Sequence, residues 1–75
     1  METGPEINTR TVYIDYPFEE VMFRRDHVTK SIFRKFYGEV EGKDLISDHD
    51  ELLNEAFRFG NEITRQEYRQ GKPRD

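Results

Sequence analysis

Asp48-His49-Asp50-Glu51 sets two aspartates, a histidine and a glutamate in four successive positions. These are the side chains that bind divalent metals and move protons. On a helix, neighbouring residues point about 100° apart, so the four do not converge on one ion. The stretch reads as a capped helix start, with a weak divalent site as the alternative. His27 stands among bases and is expected to face solvent rather than act as a general base. Ser31 has no evident base to activate it. The chain holds no Gly-rich phosphate loop, no HExxH and no nucleophile elbow. The expectation is therefore a protein without catalysis, cofactor or metal.

A basic row offers more. On a helix, Arg24, His27, Lys30, Arg34 and Lys35 fall together on one outer face, beside Phe23. Such a face is either solvated and balanced by the acidic segment 39–51, or it docks an acidic protein; nucleic-acid phosphates are a third reading. The net charge of −4 is unevenly placed. Residues 38–56 carry seven acids and one base, whereas 18–37 and 57–75 each carry five bases and three acids. An acidic middle between mildly basic flanks suits pairing with itself or with a partner of mixed charge.

The elements that must position these residues belong to one small domain. Seventy-five residues bury only about 60% of their unfolded surface, so the core is marginal. The absence of cysteine removes disulfides and thiolate chemistry, fits a reducing compartment and leaves self-association as the expected support. No apolar run is long enough to span a bilayer. "METGPEINTR" lacks the regions of a signal peptide. A cytoplasmic homodimer with no membrane contact is expected.

Along the chain, residues 1–9 are expected to be flexible and 10–70 to form the domain. "RTVYIDY" (10–16) alternates as a half-buried strand, with Val12, Ile14 and Tyr16 on one face. Taken as an edge strand, it needs a pairing partner, a second reason to expect a dimer. From Pro17 to Tyr37 the apolar residues Phe18, Val21, Met22, Val28, Ile32, Phe33 and Phe36 suggest a long helix closed by Gly38. A hairpin, "VMFRRD" turning through "HVTK" into "SIFRKFYGEV", is the alternative. Against it, Ile32-Phe33 and Phe36-Tyr37 would load both faces of a strand. Residues 38–46 form a connector whose Leu45 and Ile46 pack back onto the core. Ser47 with Asp50 resembles a capping box for a second helix over 48–69. Its Gly60 is explained by a close helix crossing, and 71–75 is a flexible tail. The fold class is α+β and mostly helical: one N-terminal strand, then two amphipathic helices, in a dimer.

Strand, helix, connector, helix resembles the ribbon-helix-helix family. "TVYIDYP" is similar to that family's ribbon, and "ELLNEAFR" (51–58) to its second helix. The resemblance implies that two ribbons pair across a dimer axis, with Thr11, Tyr13 and Asp15 facing the major groove. Asp15 is ill suited to base edges there. Asp48, Asp50 and Glu51 stabilise a helix start but repel a phosphate.

The favoured reading is a small regulatory or inhibitory protein that acts by binding another protein. Its contacts would come from Phe23, Arg24, His27, Lys30, Arg34 and Lys35, with Tyr13 and Tyr68 as further aromatic anchors. The alternative is a ribbon-helix-helix DNA-binding regulator using Arg10, Thr11 and Tyr13.

Overall fold

In the computed structural model, which describes residues 10–74, four antiparallel strands form one sheet with a short helix against each face. Strand β1 (Val12–Tyr16) passes through a 3-10 turn at Pro17–Glu19 into β2 (Val21–Arg25), and β3 (Ile32–Phe36) follows. A long connector leads to helix α1 (Glu51–Phe59), then strand β4 (Asn61–Ile63) and helix α2 (Arg65–Gln70). The spatial order is β3-β2-β1-β4. The mostly helical expectation is thus corrected. The expectations for residues 1–9 lie outside the described residues.

The expected helix over 17–37 is replaced by the hairpin that was its alternative. Asp26 makes the turn: its carboxylate accepts the N–H groups of Val28 at 2.8 Å and Thr29 at 3.1 Å. Lys30 closes it at φ +64°. Phe23 pairs with Ile14 and Arg34, and Arg24 with Tyr13 and Phe33. The double loading that argued against strands has a direct cause, since the sheet is covered on both faces. Val12, Ile14, Tyr16, Val21, Phe23 and Ile32 pack under Leu53 and Ala56 of α1. On the other side Met22 and Tyr37, with Tyr13 and Ile63, pack under Tyr68 of α2.

The expected helix 48–69 is two helices with a strand between them. Gly60 ends α1 rather than seating a crossing helix. A Cβ there would lie 2.6 Å from the Ala56 carbonyl oxygen and 2.7 Å from that of Asp15, so only glycine lets the chain turn against β1. The N-cap of α1 is Asp50, whose carboxylate accepts from Leu53 N–H at 3.0 Å. Ser47, the expected cap, accepts from His49 N–H one turn earlier.

β1 is bonded on both sides, to β2 and to β4, so it is not an edge needing a second copy. That reason for a homodimer falls away. The outer edge of β3 is covered by the connector: Glu39, Gly42 and Ile46 donate N–H groups to the carbonyls of Phe36, Arg34 and Ile32. Ile46 reaches the core under α1, while Leu45 stays exposed. Residues 71–74, expected as part of a flexible tail, lie beside the start of the connector. Gly38 donates to the Lys72 carbonyl at 2.8 Å, and Arg74 pairs with Glu39.

Candidate functional site

The face under α2 carries the polar chemistry of the molecule. The sheet supplies Tyr13, Arg24 and Lys35, the connector supplies Glu41, and α2 supplies Arg65, Tyr68 and Arg69, which together line a concavity. Tyr13 and Tyr68 meet with ring centroids 5.2 Å apart. Period-two geometry explains the convergence. Tyr13, Arg24 and Lys35 lie on one side of the pleat, on three neighbouring strands.

Glu41 is the hub. Its carboxylate accepts from Arg24 Nε at 2.9 Å and Nη2 at 3.1 Å, and from the Tyr68 hydroxyl at 2.6 Å. Burial works to raise the Glu41 carboxyl, but these hydrogen bonds and the charges of Arg24 and Lys35 outweigh it and hold it below its ordinary value. Burial, then the bond to Glu41, pushes the Tyr68 hydroxyl far up, so it stays a donor. The Arg24 guanidinium also lies 4.2 Å above the Phe33 ring. Lys35 Nζ donates to the carbonyls of Tyr68 and Arg69, which sit in the last turn of α2 without helical partners.

Below this lies a second polar centre. Asp15, only 2% exposed, accepts from the Tyr37 hydroxyl at 2.6 Å and from Lys72 Nζ at 2.6 Å. Burial and the carboxylate of Asp15 push the Tyr37 hydroxyl far up. Asp15 is therefore a structural anchor for the end of the chain, not a side chain turned towards a ligand.

Of the contact residues read from the sequence, Tyr13, Arg24, Lys35 and Tyr68 come together in the concavity. The others do not. Phe23 is fully buried beneath α1. His27 Nδ1 lies 2.9 Å from Thr11 Oγ1, at the far end of the β2–β3 hairpin, and Lys30 is exposed in that turn. Arg34 is on the opposite face, over the Phe36 ring. The basic row exists only on a helix; the pleat splits it. Arg10 pairs with Glu62. Asp48 and His49 are exposed, and no group of three or more potential metal ligands forms among the described residues. Sequence reasoning missed Glu41, Arg65 and Arg69. The signal for the last two was Thr64-Arg65-Gln66-Glu67, a capping box that starts α2 and sets Arg65 and Arg69 one turn apart.

Arg65 and Arg69 are exposed at the rim, with no carboxylate partner among the described residues. Four bases against Glu41 give the concavity a formal charge of +3, in a chain whose net charge is −4. Among the described residues, no helix is long and apolar enough to cross a membrane.

Residues 1–72 match the family model for the Tis1 immunity protein. The chain is 45% identical over 74 residues to the immune protein Tis1 of Pseudomonas aeruginosa (strain UCBPP-PA14), spanning 99% of this chain and 96% of that protein. It is similar, with a TM-score of 0.93 and 44% identity, to a chain in the crystal structure of the complex between the type VI effector Tas1 and its immunity protein. That likeness covers 100% of this chain and 99% of the other. These matches overturn the ribbon-helix-helix resemblance, and with it the DNA-binding alternative. The expected homodimer is corrected too, because the similar solved structure is a complex with an effector.

Proposed function

The chain belongs to the Tis1 immunity protein family, and on that premise we propose that it neutralises a Tas1-like type VI effector by forming a stable complex with it. The observation that carries this reading is the end-to-end likeness, at a TM-score of 0.93, to a chain of the Tas1 complex. Because that chain is matched over 99% of its length by only 75 residues, it corresponds to the immunity protein rather than the effector. A TM-score of 0.93 over the whole fold supports a common frame for the two proteins.

The mode of action is occupancy. A 75-residue binder with two covered sheet faces offers side chains on a rigid frame, and a pre-formed surface loses little entropy on docking. Protection then follows stoichiometry: one molecule of this chain silences one effector, with no turnover. The test is coexpression with a Tas1-like effector from the same genome, followed by purification of the pair. Restored growth and co-elution as a complex are expected. Unrelieved toxicity with no complex at micromolar concentrations of both proteins would sink the reading.

A further inference from the structure

We infer that the concavity between the sheet and α2 is where an acidic segment of the effector docks, held by the exposed guanidinium pair Arg65 and Arg69. The inference rests on the reading that this chain binds a Tas1-like effector, and it names the surface and the chemistry that surface takes.

The charges of the concavity divide into two groups. Arg24 is committed to Glu41, and Lys35 to the carbonyls at the end of α2. Arg65 and Arg69 are committed to nothing among the described residues. They stand four apart on a helix, so their side chains leave the same face, with Cβ atoms about 6 Å apart. Three other cations are used internally, Arg10 by Glu62, Lys72 by Asp15 and Arg74 by Glu39. Arg65 also stands in the first turn of α2, where a positive charge opposes the helix dipole. Helix stability does not account for it.

Guanidinium groups match carboxylates two bonds at a time, and the rings of Tyr13 and Tyr68, tilted against each other at 44°, line the concavity with aromatic surface. The surroundings sharpen the selection. Asp44 and Asp48 in the connector and Glu51 at the start of α1 are exposed acids that repel an acidic segment. The concavity, at a formal +3, attracts it. Such a polarised surface orients a partner during approach as well as holding it.

The test measures affinity for Tas1 and for the Tas1-like effector of the same genome, at low and at physiological salt. Two double variants are compared with wild type: R65E with R69E, and K43E with R58E, which makes the same change of net charge away from the concavity. The first pair should weaken binding by about 30-fold or more and flatten its salt dependence, while the second stays within about threefold of wild type. R65Q with R69Q should fall between, at about tenfold, and serves in place of the reversal if that lowers the melting temperature. Equal losses in both charge-reversed proteins would overturn the inference by reducing it to bulk charge. Wild-type affinity in R65E/R69E would overturn the surface while leaving the function standing, the more so if that variant had lost binding to a nucleic-acid oligonucleotide. Failure of the wild type to bind either effector would remove both.

Discussion

Glu41 accepts three hydrogen bonds from two side chains while partly buried, and its titration reports whether the α2 face is closed. Its folded carboxyl is held below the ordinary value of 4.5. The stabilisation is therefore complete above that value and lost as pH falls through it to the folded value. Glu41→Gln should lower stability by about 1 kcal/mol at neutral pH. The gap to wild type should narrow below about pH 4.5, as measured by denaturant midpoints. A gap unchanged from neutral to acid would show that the carboxylate charge is not what matters. At Asp15 the demand is stricter, because the acid is almost wholly buried. Tyr37→Phe leaves it one donor short and should cost about 2 kcal/mol, the range for a hydrogen bond to a charged group. A cost below a few tenths would mean that solvent reaches Asp15.

Among the elements, α1 is the most sensitive to single backbone positions. Gly60→Ala must push a methyl into two carbonyl oxygens under 3 Å away and should destabilise by about 2 kcal/mol. Asp50→Ala should cost about 1 kcal/mol through the lost cap, and Thr64→Ala a similar amount in α2, whereas Ser47→Ala should cost clearly less. Equal midpoints for the Asp50 and Ser47 variants would return the cap to Ser47. The same elements mark how much of the fold was legible. The alternation in 10–16 gives a strand because Val12, Ile14 and Tyr16 face one core. Between Val21 and Phe36 the alternation disappears, because the opposite face is also apolar and also covered; the surviving i, i+3, i+4 coincidences then imitate a helix. α2 was merged into one helix over 48–69, because its Thr64–Glu67 capping box went unread and six residues give no period to detect. The concavity was half legible. Tyr13, Arg24, Lys35 and Tyr68 were singled out for their chemistry, yet their meeting depends on strand register, which the sequence does not display.

For the whole molecule, the question is what supports a core this small. A second copy was the expected support, but β1 has partners on both sides and the connector covers β3. The chain closes its own sheet, except along β4, whose three residues are a short edge. It still has few reserves, with 75 residues and no disulfide. In the proposed complex, an effector that binds only the folded chain would add stability by mass action. With free effector at about 100 times the dissociation constant, the folded state gains about 2.7 kcal/mol. Hydrogen exchange reads the peptides of this chain apart from those of the effector, so the gain can be assigned. Amides of β1 and β2 at the centre of the sheet should exchange through global unfolding and should slow by about 100-fold, in β2 as much as in β1. Dilution of the free chain should leave the same rates unchanged, and rates that rise on dilution would show that a second copy supports the core. Slowing confined to α2 and the connector would mean that the effector protects only what it touches. Central amides unmoved by saturating effector would mean that complex formation is not linked to folding of this chain.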